Sequence, residues 1–123
     1  YTPQQFMEGV NILRDTFEHP AITTDVIVGF PQESEEEFET TRQFLEEVSF
    51  YEMHIFQYSK RQGTRAAVMK DQVPEEKKKV RSAELIALGD EMSFEFRQYY
   101  LGREEEVLFE EAAEIDGKQF CFG

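Results

Sequence analysis

The sequence has little cysteine, no tryptophan and no long apolar run. Its one cysteine, Cys121, cannot form an intrachain disulfide, and alone it cannot hold a zinc ion or an iron–sulfur cluster. No apolar stretch approaches the roughly 20 residues of a membrane-spanning helix, and no signal peptide is visible. The lack of disulfides is typical of a reducing compartment, so we expect a cytoplasmic protein.

Positive charge is also scarce. The chain has 13 Lys and Arg against 26 Asp and Glu, a formal net charge of −13, which excludes a basic nucleic-acid-binding footprint over the whole chain. Its 123 residues are the size of one ordinary domain, and its 12 Phe predict a core rich in that residue. The chain begins at Tyr1 and ends within an apolar run at residues 120–123, so we expect it to be a piece of a longer protein.

The first 29 residues predict a helix followed by a strand. Thr2 is a predicted N-cap, and Gln5 completes a capping box with it. Residues 21–29 are nearly continuous in Ile, Val and Thr, which predicts a strand buried on both faces in a parallel sheet. Asp25 lies inside this strand, where a carboxylate is costly unless it is paired or used. It is either a structural hydrogen-bonding group or a contact for substrate or cofactor.

A second helix, a second strand and a long helix follow. Ser34 with Glu37 predicts a helix start, and we interpret the acidic first turns at residues 33–39 as solvated rather than metal-binding. Residues 52–58 predict a strand parallel to the first, because a helix connects the two. The long helix is predicted to begin near Pro74 and to stop at Gly102.

The long helix carries an apolar stripe and several cations, and a hairpin signal follows it. The stripe consists of Val80, Leu85, Leu88, Met92, Phe96 and Tyr99. The cations, predicted to form a solvated face, are Lys77, Lys78, Lys79 and Arg81. A weak point is predicted at Gly89. Residues 106–110 and 118–122 flank Asp116-Gly117 and predict a β hairpin that opens a second, small β domain.

The ends of the two predicted strands carry the residues suited to ligand binding. Gly29 permits close approach of a ligand or of neighbouring backbone, and the following helix presents free N–H groups. A plain strand-to-helix connection is the alternative. The loop at residues 58–67 places Arg61 beside Gly63, and it is either solvated or binds carboxylate or phosphate. His54 is interpreted as a core residue, and no self-sufficient active site can be made out.

Three segments together resemble one protein family. They are residues 23–31 (TTDVIVGFP), 54–69 (HIFQYSKRQGTRAAVM) and 71–74 (DQVP). In that order and spacing they resemble the radical S-adenosylmethionine methylthiotransferases. The resemblance implies an α/β fold in which residues 1–101 form the second half of a split (β/α)6 radical SAM barrel, a parallel βαβ unit with a long closing helix. Residues 102–123 would be an incomplete β hairpin at the start of a TRAM domain.

The resemblance also implies a radical enzyme that inserts a methylthio group at an unactivated carbon. Its cofactors would be S-adenosylmethionine and two [4Fe-4S] clusters, one cleaving S-adenosylmethionine reductively to a radical and the other presenting the sulfur. The cluster ligands would lie outside this chain, so no catalytic residue and no metal ligand is assigned within it. The implied partners are tRNA and an electron donor. A half-barrel would leave a sheet edge exposed, so we expect the isolated chain to dimerise.

Carried over onto this sequence, the family pattern implies a cofactor wall and a substrate-facing mouth. The residues beside the cofactor would be Ile27, Gly29, Phe30, Phe56 and Tyr58. The residues facing the substrate would be Asp25, Ser59, Arg61 and Thr64.

The basic pair Lys60-Arg61 resembles the tRNA-modifying branches of the family, since the branch that modifies a ribosomal protein typically has acidic residues there. Residues 19–25 most resemble enzymes acting on threonylcarbamoyladenosine beside the anticodon, with the isopentenyladenosine enzymes as the near alternative. A ribosomal-protein methylthiotransferase and a non-catalytic acidic α/β interaction module are the other functional alternatives. Gln32 stands where the family usually has Gly. Either it adopts a positive φ at a cost of order 1 kcal/mol, or the turn switches to type I.

Overall fold

The computed structural model describes residues 1–122, which form three helices, a parallel strand pair and a separate hairpin. The elements are α1 (Pro3–Thr16), β1 (Thr23–Val28), α2 (Glu35–Val48), β2 (Glu52–Gln57), a 3-10 turn (Ala66–Val68), α3 (Glu75–Gln98), β3 (Glu111–Ile115) and β4 (Lys118–Phe122). Their order confirms the predicted strand–helix–strand unit with a long helix after it.

The predicted capping box of α1 is confirmed. The Thr2 hydroxyl accepts the Gln5 N–H at 3.2 Å, and the Gln5 side chain accepts the Thr2 N–H at 2.9 Å. Near the other end of α1, the Arg14 guanidinium donates to the carbonyls of Val48 and Ser49, which terminate α2. A cation at this position satisfies carbonyls that the helix leaves without partners, and it joins α1 to the end of α2.

The two central strands are parallel, as the sequence predicts. Asp25 lies opposite His54, and Ile27 lies opposite Phe56. The N–H of Tyr58 donates to the Val28 carbonyl at 2.8 Å and continues the ladder beyond β2. The carboxyl ends of both strands therefore lie side by side at one edge of the pair.

The prediction that β1 is buried on both faces is wrong. Its even-numbered residues face the helices, whereas Thr23, Asp25 and Ile27 are exposed on the opposite face. The helices cover one side of the pair, and within residues 1–122 no element covers the other. The buried core comprises Val10, Val28, Phe38, Leu45, Val48, Phe50, Leu85 and Met92.

Helix α3 is continuous through Gly89 and packs mainly on β2. Leu85 and Met92 are buried as predicted, but Val80 is exposed because it lies five residues, roughly 140° of helical rotation, from Leu85. The helix ends at Gln98, before the predicted stop, and Gly102 closes the following turns with a φ of +77°. None of the helices in the described part of the chain is both long and apolar enough to cross a membrane.

The hairpin turn is confirmed, but its predicted first strand is wrong. Asp116 and Gly117 both have positive φ, and Ile115 pairs with Lys118 directly across them. A two-residue turn requires pairing to begin next to it, which places β3 immediately before Asp116. The apolar residues 107–109, which suggested a strand at 106–110, are exposed and outside the regular structure.

Candidate functional site

The uncovered face of the strand pair carries large apolar side chains in the open. Ile27 is 58% exposed and Phe56 is 54% exposed, and the two lie opposite each other in the register. Asp25 and His54 form the preceding pair on the same face and are also exposed. The interpretation of His54 as a core residue is therefore wrong, since the half-buried side chains of β2 are those of Met53 and Ile55.

A groove of about 510 Å³ lies at the carboxyl ends of the two strands. Its lining residues are Ile27, Phe56, Gln57, Tyr58, Ser59, Arg61, Thr64 and Ala66. Six of the nine residues that the family resemblance implies for the site are in that lining, contributed by β1, β2 and the loop after β2. Parallel strands end at a common edge, and this is where α/β folds commonly bind ligands.

The other three implied residues are placed around this groove. The Phe30 ring meets the Tyr58 ring edge to face, with 5.4 Å between the ring centroids. Asp25 is on the open face, two residues before Ile27. Gly29 is buried, and its N–H donates to the Glu33 carboxylate at 3.1 Å, so this N–H is engaged within the turn itself.

The turn after β1 keeps the type II geometry that glycine usually supports. The Glu33 N–H donates to the Phe30 carbonyl at 3.0 Å, and Gln32 has a φ of +71°. Pro31 holds a negative φ at the second position, so a positive φ at the third defines type II. Of the two predicted alternatives, Gln32 in the left-handed region is the one observed. Its N–H donates to the Asp71 carbonyl at 2.9 Å, which joins the turn to the segment before α3.

The predicted solvated face of α3 is wrong for two of its four cations. Lys78 and Arg81 are each only 3% exposed, whereas Lys77 and Lys79 are exposed. The Lys78 ammonium donates to the Tyr58 carbonyl and to the Glu75 carboxylate, both at 3.0 Å. The helical spacing could have predicted the burial of Lys78 and Arg81, because both lie on the same face of α3 as the buried Leu85 and Met92.

Arg81 pairs with two carboxylates of the acidic segment, of which Glu33 is only 15% exposed, against the predicted solvation, and Glu35 is 71% exposed. It donates to the Glu33 carboxylate at 2.7 Å, to the Glu33 carbonyl at 3.0 Å and to the Glu35 carboxylate at 3.1 Å. The start of α2 is therefore paired with α3. Charge-assisted bonds of this kind orient the partner as well as attract it.

The loop after β2 is basic, exposed and held by its own hydrogen bonds. The Thr64 hydroxyl donates to the Arg61 carbonyl at 2.7 Å and accepts the Ala67 N–H at 3.3 Å. The Gln72 amide donates to the carbonyls of Ala66 and Met69. The exposed cations of this segment, none of which forms an ion pair within the described residues, are Lys60, Arg61, Arg65 and Lys70.

Metal-binding side chains do not converge in this part of the protein. Residues 1–122 contain no group of three or more His, Cys, Asp or Glu side chains placed to share a metal ion. The single cysteine, Cys121, is exposed on β4.

Comparison with known proteins shows which enzymes this chain is similar to. The chain is 46% identical over 112 residues to the threonylcarbamoyladenosine tRNA methylthiotransferase MtaB of Bacillus subtilis, covering 91% of the chain and 25% of that protein. It is 47% identical over 119 residues to a tRNA-2-methylthio-N(6)-dimethylallyladenosine synthase of Thermobifida fusca, covering 97% of the chain and 24% of that protein. The chain belongs to the radical S-adenosylmethionine methylthiotransferase family.

Another methylthiotransferase relative, from Acetivibrio thermocellus and also named as a tRNA-2-methylthio-N(6)-dimethylallyladenosine synthase, is 42% identical over 120 residues. The chain spans about a quarter of the length of the methylthiotransferases it matches. No protein-family model matches it. The groove and the basic loop lie within the part of the sequence that these relatives share, since the matches cover 91–98% of the chain.

Proposed function

We propose that this chain supplies one wall of the cofactor site and a substrate-facing loop of a radical S-adenosylmethionine methylthiotransferase that modifies a tRNA adenosine. The groove at the strand ends carries the proposal, because residues far apart in sequence converge there in the arrangement that the family resemblance implies. A non-catalytic interaction module is not favoured, since the relatives are named as enzymes.

The groove fits S-adenosylmethionine in its chemistry. Ile27 and Phe56 offer an open apolar wall, which suits the face of an adenine ring. The Tyr58 hydroxyl is buried and finds no hydrogen-bond partner within the described residues, so a polar group of a ligand can satisfy it. Phe30, packed against Tyr58, would close the wall from the side of β1. When bound, S-adenosylmethionine supplies the radical chemistry and the methyl group of the family reaction.

The iron–sulfur clusters do not fit this chain. One cysteine cannot hold a [4Fe-4S] cluster, and the described residues do not gather another ligand set. In the proposed enzyme both clusters, and the electron donor that reduces them, therefore act through other parts of the protein.

The loop at residues 60–70 supports RNA as the substrate. Its four cations form no ion pair within residues 1–122, and they stand out in a chain with twice as many carboxylates as cations. Two of the loop's residues, Arg61 and Thr64, also line the groove, so the positive charge begins where the cofactor wall ends. Arginine and lysine at such a rim bind phosphate oxygens of a nucleic acid backbone. A tRNA substrate also fits the expected cytoplasmic location.

The finer assignments are also part of the proposal. Threonylcarbamoyladenosine is the proposed target because residues 19–25 resemble those enzymes, while the relatives include both that type and the dimethylallyl type at similar identity. Residues 1–101 would belong to the split barrel, and residues 102–123 would begin the TRAM domain. The isolated hairpin of β3 and β4 is compatible with that division.

The test is tRNA methylthiolation by the full-length protein, read by mass spectrometry of the nucleosides. We expect a methylthio group on threonylcarbamoyladenosine. Phe56→Ala should lower the affinity for S-adenosylmethionine about tenfold, because the wall loses an aromatic face. The matched control is Phe94→Ala, since Phe94 is 60% exposed on α3, away from the groove. An unmodified tRNA would refute the proposed function, and equal effects of the two variants would refute the cofactor wall.

Salt dependence of tRNA binding tests the basic loop. Neutralising Arg61 and Arg65 to Gln should lower the slope of log affinity against log salt by about 0.7–0.9 for each phosphate that the protein no longer neutralises. The control has the same charge change on α3, where Lys79 and Arg97 are exposed and unpaired within the described residues. An identical slope in both double variants would exclude the loop from the RNA interface.

A further inference from the structure

Two buried cations of α3, Lys78 and Arg81, bind the backbone at the strand ends and the turn after β1. The Lys78 ammonium donates to the carbonyl of Tyr58, the residue after β2, at 3.0 Å. Its methylene chain lies against Gly29, the residue after β1, so closely that a Cβ atom at position 29 would overlap the Lys78 Cγ atom. A single side chain thus joins the two backbone positions that directly follow β1 and β2.

Arg81 binds the turn after β1 through Glu33. Its guanidinium donates to the Glu33 carboxylate at 2.7 Å, and the same carboxylate oxygen accepts the Gly29 N–H at 3.1 Å. Arg81 also donates to the Glu33 carbonyl at 3.0 Å, so it holds both the backbone and the side chain of that residue. Gly29 is therefore held through its N–H by Glu33 and through its Cα by Lys78.

Stability alone gives no reason for charges at these two positions. Taking an ammonium and a guanidinium out of water costs several kcal/mol each before pairing, and apolar side chains of similar volume often serve the fold as well. Hydrogen bonds from the two cations are directional, and they orient the backbone at Tyr58 and in the turn after β1. The Phe30–Tyr58 ring pair is attached directly to that backbone.

We propose that Lys78 and Arg81 are positioning residues, which set the geometry of the Gly29 turn and of Tyr58 and thereby the Phe30–Tyr58 pair at the ligand groove. The identity of the ligand as S-adenosylmethionine rests on the proposed function. The positioning itself does not, because it concerns contacts within this chain. Neither cation touches the ligand in this proposal.

The first experiment uses the chain alone and compares Lys78→Met with Lys79→Met. Methionine keeps the stem that covers Gly29 but removes the ammonium, and the exposed Glu75 carboxylate stays hydrated. We expect both variants to unfold cooperatively at a similar urea concentration. We also expect the nuclear Overhauser signals between the Phe30 and Tyr58 rings to weaken only in Lys78→Met. Wild-type ring signals in a folded Lys78→Met would overturn the proposal.

The second experiment uses the full-length protein and separates positioning from folding. Lys78→Met should raise the KM for S-adenosylmethionine about tenfold while the KM for tRNA stays unchanged, because the displaced groups belong to the cofactor wall. Arg81→Lys keeps the charge but is shorter and lacks the guanidinium fork that binds Glu33 through one nitrogen and Glu35 through the other, so it should shift the same KM in the same direction. An unchanged KM in both variants would contradict the inference.

Two outcomes keep this inference separate from the proposed function. If wild-type full-length protein modifies no tRNA, the proposed function fails, and the ring signals in the chain alone still decide the positioning role. If Lys78→Met does not fold, the same Phe30–Tyr58 ring signals are measured in Arg81→Lys, with Lys79→Met as the control. They should weaken in Arg81→Lys, and wild-type signals there would overturn the proposal.

Discussion

At the scale of single residues, backbone strain lies beside the candidate site. Gln32 has a φ of +71° in the turn that follows β1, a conformation that costs an L-residue about 1–2 kcal/mol. Hydrogen bonds from both sides retain it, since the Gln32 N–H binds the Asp71 carbonyl and the Glu33 N–H binds the Phe30 carbonyl. The turn therefore stays type II without the glycine that usually supports it.

Gln32→Gly should raise the free energy of unfolding by about 1 kcal/mol, because glycine relieves the strain and keeps both backbone hydrogen bonds. Urea denaturation of the isolated chain measures this. Gln32→Ala is the control, since alanine keeps the Cβ atom and should change stability little. A destabilised Gln32→Gly would show that the left-handed conformation carries no strain here.

A second residue-scale feature is an exposed carboxylate near the end of α3. The Tyr99 hydroxyl donates to Glu18 at 2.7 Å and, with the nearby Arg103 guanidinium, holds the pKa of the Glu18 carboxyl below its ordinary value of 4.5. A depressed folded-state pKa adds stability above the unfolded pKa, and this stability is lost as the pH falls through the folded pKa. The contribution is therefore fully present above about pH 5 and is lost in the acidic range below it.

Tyr99→Phe should move the Glu18 pKa up toward its ordinary value, since the largest cause of the depression is the Tyr99 hydrogen bond. Carboxyl-detected NMR titration gives the value. Glu39 provides an internal control, because its pKa is lowered mainly by its hydrogen bond to Arg42 and should stay low in the variant. An unchanged Glu18 pKa would assign the depression to Arg103 instead.

At the scale of elements, α3 organises most of the molecule. It packs on both strands and on α2, and it pairs with the turn before α2 through Arg81. Its far end meets the segment after α1, where the His19 ring stacks on Phe96 and Tyr99 with centroids 4.2 and 3.9 Å apart. The sequence analysis included His19 only within the segment 19–25 that resembles one branch of the family, because stacking between residues so distant in the chain leaves no local signal.

Gly89→Ala should stabilise the chain by up to about 1 kcal/mol, because alanine is the better helix former and the site has room. A Cβ atom there would lie 3.4 Å from the Met53 methyl, an ordinary contact. Gly29→Ala is the contrasting variant and should destabilise by about 2 kcal/mol, since its φ is +75° and its Cβ would overlap Lys78. Thermal unfolding distinguishes the two signs, and a loss of stability in Gly89→Ala would contradict the expected helix gain.

At the scale of the whole molecule, the chain divides into a packed body and an appended hairpin. Strands β3 and β4 pair with each other, and among residues 1–122 they make at most marginal contact with the rest. The two-stranded sheet of the body has an open face, and each strand has one edge without a partner within the described residues. Unpaired parallel edges with exposed apolar side chains favour association with another chain.

Removing residues 103–123 should shift the unfolding temperature by no more than roughly 3 °C, the change that about 0.5 kcal/mol gives a domain of this size. Dimerisation, predicted from the free sheet edge, should persist in both lengths because β1 and β2 remain. Calorimetry and light scattering on the two lengths measure these outcomes. Monomers of both lengths at high concentration would refute edge pairing, and a large loss of stability on truncation would show that the hairpin stabilises the body.

Local chemistry determined much of what the sequence alone predicted. Caps, turns and helical or strand periodicity depend on residues within a few positions of one another, so the α1 capping box, the parallel strand pair and the Asp116-Gly117 turn were predictable. The resemblance of residues 23–31, 54–69 and 71–74 to one family was also readable from the sequence, and the comparisons confirm that family.

Tertiary contacts decided the rest. Whether β1 is covered on one face or two depends on where the helices lie, and the burial of Lys78 and Arg81 depends on a turn and a strand end brought under α3. A charged side chain is expected to be solvated only when no distant residue binds it. Here the Glu33 carboxylate binds Arg81, and the Tyr58 carbonyl binds Lys78. The groove exists because parallel strands bring Ile27 and Phe56 to one edge, a juxtaposition that packing creates and local sequence does not contain.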